Sequence, residues 1–122
     1  MEKKLFDSEL KVMDILWRDG DTTAKRIAEI LKEEIGWSKT TTYTVIKKCI
    51  EKGAIRRSDP QFVCSALITR QQAQEQETTE LINKMYDGAA DKLVASILGR
   101  RSLSPEEIGR LKQLVKELEG GK

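Results

Sequence analysis

Apolar residues recur at helical spacing along most of this chain and change to a shorter period in one stretch only. Leu10, Met13, Leu16 and Trp17 predict a first helix, capped by Ser8, running to about Arg18 and ended by Gly20. The segment DTTAKRIAEILKEEIG predicts a second helix. Thr22 or Thr23 caps it, Ile27, Ile30 and Leu31 form its stripe, and Gly36 stops it. Only about three residues, 35–37, separate it from a third helix that starts near Ser38, which forces a sharp reversal of the chain. After Gly53 the pattern becomes strand-like: Ile55–Ser58 and Phe62–Ala66 flank the turn residues Asp59-Pro60-Gln61, so a hairpin is expected.

The rest reads as helical. Thr69 caps a helix from about Arg70 to Tyr86 whose first half is polar and whose second half carries Leu81, Ile82 and Met85. Asp87-Gly88 breaks it, a short helix covers residues 89–98, and residues 99–102 form a basic loop. Ser104-Pro105-Glu106-Glu107 opens a last helix with Ser at the N-cap, Pro at N1 and Glu at N3. Its stripe is Ile108, Leu111, Leu114, Val115 and Leu118, and residues 120–122 are expected to fray.

The third helix has two unlike faces. At 100° per residue, Thr42, Val45, Ile46, Cys49 and Gly53 gather on one side. Thr40, Thr44, Lys47 and Glu51 lie opposite, flanked by Tyr43 and Lys48. A face of hydroxyls, a phenol and cations without a large aliphatic residue suits a DNA major groove: hydroxyls bond base edges or phosphates, and lysines neutralise phosphate. The alternative is an ordinary solvated face. Four β-branched threonines at a helix start are poor helix formers, at about 0.5 kcal/mol each against Ala, which favours hydroxyls that serve a partner or a cap. A hairpin directly after such a helix is a wing, with Arg56 and Arg57 on its first strand. Trp17 and Cys49 read as core, and Trp37 as a packing residue of the turn. Tyr43 is divided between DNA contact and packing against the wing.

Charge sharpens the picture. The net charge is only +2, but residues 1–70 hold 14 Lys/Arg against 11 Asp/Glu, and residues 71–122 hold 8 against 9. Residues 39–57 contain six cations (Lys39, Lys47, Lys48, Lys52, Arg56 and Arg57) and one acid, Glu51. Such a local field attracts polyanions. The fold expected is thus mainly α with a small β-wing: a winged helix-turn-helix DNA-binding domain over residues 1–69 and a helical dimerisation domain over 70–122. Thr40, Thr41, Tyr43, Thr44 and Lys47 are the candidate groove residues, with Lys39, Lys48, Arg56 and Arg57 on phosphates. Leu81, Ile82, Met85, Leu93, Val94, Ile97, Ile108, Leu111, Leu114, Val115 and Leu118 are too many apolar side chains for one small lobe to bury. A second copy would cover them, and a homodimer implies double-stranded DNA of dyad symmetry.

Other chemistries fit poorly. The chain has no histidine and two cysteines, and it shows neither a Gly-rich phosphate loop nor metal-ligand spacing, so no catalytic centre, metal or cofactor is expected. No apolar run is long enough for a membrane, and the start MEKKLFDSEL lacks the apolar core of a signal peptide, so the expected compartment is the cytoplasm, with reduced Cys49 and Cys64. Two other classes stay open: a winged-helix module that binds an acidic protein, and a thiol-based redox regulator.

The segments LFDSELKVMDILWRDGDTTAKRIAEIL, GWSKTTTYTVIKKCIEKGAI, LINKMYDGAADKLVASIL and LSPEEIGRLKQLV resemble the penicillinase-repressor family of bacterial regulators over nearly the whole chain. The resemblance implies a cytoplasmic homodimeric repressor of resistance or metal-transport genes, acting at dyad operators with TACA/TGTA-type half-sites. In antibiotic-responsive members, induction implies an inducing protease that cuts the dimer lobe between an Asn and a Phe. The matching positions here are Ser96 and Ile97, a different dipeptide. Copper-responsive members carry a C-terminal Cys-x-Cys…Cys motif, whereas this sequence has no cysteine after Cys64, and copper sensing by that route is not expected.

Overall fold

A computed structural model of the chain describes residues 4–99 and 103–120, with side chains to Glu117. The Leu118 side chain, most of the expected basic loop at 99–102 and the end of the tail lie outside what is described. The element order is α1 (Asp7–Asp19), β1 (Thr22–Thr23), α2 (Ala24–Ile35), α3 (Lys39–Glu51), β2 (Ile55–Ser58), β3 (Val63–Ala66), α4 (Arg70–Met85), α5 (Ala90–Gly99) and α6 (Pro105–Gly120). It divides into two compact units, residues 1–78 and 79–122, and the division falls within α4. The boundary expected from the sequence, 69/70, falls between the last strand, which ends at Ala66, and the start of α4 at Arg70. The first turns of α4 nonetheless belong to the first unit, because Ala73 packs on its core and Arg70 stands over the Trp17 ring, 5.4 Å from its centroid.

In the first unit the helical stripes meet in one core. Met13, Ile15, Ile27, Ile46 and Ile55 are its largest fully buried apolar side chains, each contributing about 1.5–3 kcal/mol by leaving water. Local chemistry sets most boundaries. Thr23 caps α2 by accepting a hydrogen bond from the Arg26 N–H at 3.1 Å, and Ser38 caps α3 by accepting from Thr41 N–H at 3.1 Å. Gly36, at φ 76°, ends α2 in the left-handed conformation that glycine adopts without cost, and its N–H donates to the Lys32 carbonyl. The chain therefore turns within residues 36–38 and re-enters a helix at once.

Two features depart from the sequence pattern. The first helix begins two residues earlier than Ser8 predicts: Phe6 occupies its N-cap, and its N–H donates to Glu9 Oε1 at 2.8 Å. Glu9 is 1 % exposed and pairs with Lys52 Nζ at 2.6 Å. The acid that serves the cap is thereby held by the end of α3, and that long-range partner decides where α1 starts. Lys52, in turn, faces inward. Its ammonium also donates to the Lys4 carbonyl and lies 3.9 Å from the Phe6 ring centroid. It drops out of the exposed basic field.

The sheet holds a strand that the sequence pattern hides. β2 and β3 form the hairpin, in register Ile55↔Ala66, Arg56↔Ser65, Arg57↔Cys64 and Ser58↔Val63. The two-residue β1 pairs antiparallel with the other edge of β3, giving the order β1-β3-β2. Thr22 and Thr23 thus join the hairpin to the base of α2.

Among the described residues of the second unit no side chain is fully buried. Leu81, Met85, Val94, Leu98, Ile108, Leu114 and Val115 are exposed, while Ile82, Leu93, Ile97 and Leu111 are half-buried. A groove of about 560 Å³ between α5 and α6 is lined by Val94, Leu98, Ile108, Leu111 and Val115, with the stems of Lys112 and Lys116. The cap of α6 forms as its sequence predicts: Ser104 N–H donates to Glu107 Oε1 at 2.9 Å and Glu107 N–H to Ser104 Oγ at 3.1 Å. The Ser104 backbone N–H first, and its hydroxyl second, hold the Glu107 carboxyl below the usual glutamate range, so this cap contributes above the ordinary carboxylate pKa and is lost as pH falls through the lowered one.

The Glu9–Lys52 pair makes a direct prediction. Glu9→Gln keeps the shape but leaves the ammonium without its counter-charge, and should cost about 2–3 kcal/mol in urea unfolding. That is below the upper range for a broken buried pair, because the Lys4 carbonyl and the Phe6 ring remain. A loss under about 0.5 kcal/mol would rank the contact with surface pairs.

Candidate nucleic-acid interface

The interface is built on α3 and the wing. Thr42, Val45, Ile46 and Cys49 are buried, and their burial fixes the rotation of α3 about its axis. Thr42 Oγ1 is enclosed without a hydrogen-bond partner, so this face is committed to packing even where it carries a hydroxyl. The opposite face is consequently turned out: Lys39, Thr40, Thr41, Thr44, Lys47 and Lys48 are exposed and Tyr43 is half-buried.

Lys39, Thr40, Tyr43, Thr44 and Lys47 line one open hollow. The structure thus brings together five of the nine candidate DNA residues at a single surface, two ammonium groups around two hydroxyls and a phenol. Thr41 stands next to them with a different engagement. Its Oγ1 accepts a hydrogen bond from Ser38 Oγ at 2.9 Å, so its hydroxyl belongs to the helix cap. Lys48 lies one position beyond Lys47 on the flank.

Arg56 and Arg57 follow the strand period and point to opposite faces of β2. Arg56 shares its face with Ser65 and extends into solvent. Arg57 is on the core face of the strand, past the end of the core. Its Nε donates to Asp59 Oδ1 at 3.0 Å, and its guanidinium carbon is 3.7 Å from the Phe62 ring centroid. Tyr43 meets the same ring edge-on, with centroids 5.8 Å apart and planes at 78°. Packing against the wing is therefore what Tyr43 does in this state. The sequence pattern takes Asp59 as a turn residue and Phe62 as the first residue of the second strand, whereas β3 begins at Val63 and Phe62 lies in the turn; the signal for their role at the site is an acid and an aromatic two and five residues beyond Arg57, across a Pro turn. Trp37 is half-buried against the core, and Trp17 donates its Nε1–H to the Ile68 carbonyl at 3.0 Å, both in packing roles.

Neither thiol faces this surface. Cys49 and Cys64 are free and fully buried. Burial pushes the Cys49 thiol up to about 12, helped by the nearby Glu9 charge, and the Cys64 thiol up to about 11 against the opposing pull of Arg57. Among the described residues no group of three or more His, Cys, Asp or Glu is placed to hold a metal ion. Among the same residues no helix is long and apolar enough to cross a membrane.

A helix-turn-helix with a hairpin wing, its reading helix rotated to present hydroxyls and cations, defines a winged-helix regulator. The chain belongs to the penicillinase repressor family, whose family model matches residues 5–117. It is 28% identical over 116 residues to a penicillinase repressor of Bacillus licheniformis, covering 93% of this chain and 91% of that protein. It is likewise 28% identical over 120 residues to the methicillin resistance regulatory protein MecI of Staphylococcus aureus (strain N315), covering 94% and 98%. Among solved structures, the DNA-binding domain of the repressor BlaI is similar, with a TM-score of 0.53 at 27% identity over 57% of this chain and 90% of that one.

The raised thiol values carry a test of the redox alternative. A raised folded pKa means that the neutral thiol's contribution to stability is present below the ordinary thiol range and lost as pH rises through about 11 to 12. At pH 8 the folded protein should hold almost no thiolate. Iodoacetamide should modify Cys49 and Cys64 only after unfolding, at least ~100-fold faster than in the native protein, as read by mass spectrometry. Rapid native modification of either would contradict the assignment.

Proposed function

We propose that this protein is a DNA-binding transcriptional repressor that sits as a homodimer on a dyad-symmetric operator. The genes it controls would serve antibiotic resistance of the β-lactamase type, or related stress or transport functions. The observation that carries the reading is the hollow on α3, where Lys39 and Lys47 flank Thr40, Tyr43 and Thr44 on the helix face turned away from the core. Thr40, Tyr43, Thr44 and Lys47 read base edges; Lys39, Lys48, Arg56 and Arg57 hold phosphates; and Thr41 acts by fixing the start of the helix. The operator DNA implies a cytoplasmic location.

The homodimer reading rests on the second unit. Leu81, Met85, Val94, Leu114 and Val115 are exposed there, and the α5–α6 groove gives a second copy an apolar seat. Control through proteolysis would act on the Ser96–Ile97 bond within α5. Both side chains are half-buried, and Ser96 Oγ lies 3.4 Å from the Tyr86 hydroxyl, so a protease reaches the bond only after that helix opens.

Lys47→Ala should weaken binding to a duplex carrying inverted TACA/TGTA half-sites. Arg56→Ala, which takes one cation away from the phosphates, should reduce the salt slope by about one unit. Binding equal to the parent in both variants would remove the site assignment. Equal binding to a scrambled duplex would favour charge attraction alone. Leu114→Glu should shift the protein from dimer to monomer in analytical ultracentrifugation and weaken operator binding with it. A parent that sediments as a monomer at micromolar concentration would end the dimer reading.

A further inference from the structure

A row of four side chains joins the reading helix to the wing. Lys39 Nζ lies 5.7 Å from the Tyr43 ring centroid, Tyr43 meets Phe62 edge-to-face, and Phe62 carries the Arg57 guanidinium on its face. Asp59 clamps the far end through its 3.0 Å bond to Arg57 Nε. Phe62 is the member that touches both elements. It has a left-handed backbone, φ 56°, a conformation that a residue with a Cβ takes up only at a cost. Its carbonyl accepts the Ala24 N–H at 2.9 Å, which fixes the peptide at the start of α2. A strained backbone, anchored on one helix and bearing a ring that meets side chains of two other elements, has a defined place in the geometry while its ring stays at the edge of the core.

We propose that Phe62 is a positioning residue for DNA recognition: its ring presets Arg57 of the wing and Tyr43 of α3 as one surface. The inference rests on the DNA-binding reading given above. A guanidinium over an aromatic face is held by the ring quadrupole yet keeps its N–H edges outward for a phosphate. Arg57 thus meets DNA with part of its conformational freedom already spent, and the Tyr43 phenol is held at a fixed distance from it. Asp59 keeps the guanidinium in place without DNA, and a phosphate replaces it when DNA arrives. Phe62 need not touch DNA in this arrangement; it acts through Arg57 and Tyr43.

The test is a double-mutant cycle on the full chain, read by fluorescence anisotropy with the inverted TACA/TGTA duplex and a scrambled duplex. Phe62→Leu should weaken operator binding about tenfold, with thermal unfolding close to the parent's, and Phe62→Tyr should restore binding to within about twofold. In an Arg57→Ala background, Phe62→Leu should add less than about twofold further loss, because its main client is already gone. A purely structural role predicts additive losses that track the melting temperature. Should Phe62→Leu fold poorly, Phe62→Met keeps volume and flexibility without a ring and replaces it in the cycle. Parent-like binding by the ringless variant, or fully additive losses, would overturn the positioning role while leaving the DNA-binding reading intact. A parent that binds neither duplex overturns both.

Discussion

The placement of the reading helix depends on a buried charge pair. Glu9 and Lys52 are distant in sequence, yet one carboxylate oxygen accepts both the Phe6 N–H at the start of α1 and the ammonium at the end of α3. Enclosing a carboxylate is costly unless each lone pair has a donor, so only one arrangement of the two helices is tolerable. Apolar packing between α1, α2 and α3 supplies most of the stabilisation but is forgiving of small rotations. The pair is not. Together with Thr42, Val45, Ile46 and Cys49 on the inner face, it sets which side of α3 meets solvent. The exposed chemistry of Lys39, Thr40, Thr44 and Lys47 is a consequence of that choice.

Much of this was legible because it is local. The stripes of α2 and α3, the caps at Thr23, Ser38, Thr69 and Ser104, and the stop at Gly36 depend on residues within a turn or two of one another. The hollow on α3 was legible for the same reason, since helical geometry alone gathers its five residues. What escaped was non-local. Ser8 is a good capping residue, but Glu9 had a partner across the fold that favoured Phe6. Two threonines give no strand period, and β1 exists only because β3 offers an unpaired edge at Val63 and Cys64. Lys52 counts as one more surface cation until its partner is seen.

The wing shows the same division at the level of the site. Alternation placed Ile55–Ser58 correctly as a strand, and hence put Arg56 and Arg57 on opposite faces. It carried the second strand back to Phe62, whose left-handed backbone belongs instead to the closure of the turn, and it did not show that Asp59 of that turn engages Arg57. Two arginines that look equivalent in sequence are therefore different devices. One is a solvated cation free to follow a phosphate, and the other is mounted on a ring beside the reading helix.

The open apolar faces of the second unit have a consequence for dosage. In the proposed dimer those faces are covered only when two chains meet, so at low abundance the population of assembled protein grows as the square of the number of chains made. Halving synthesis then reduces the active species about fourfold in that dilute regime. A cell could release its operator by slowing production and letting growth dilute what remains, without any chemical change to the protein. The feature that leaves a lone chain incomplete would thus also act as a threshold, making repression a property of abundance as much as of affinity.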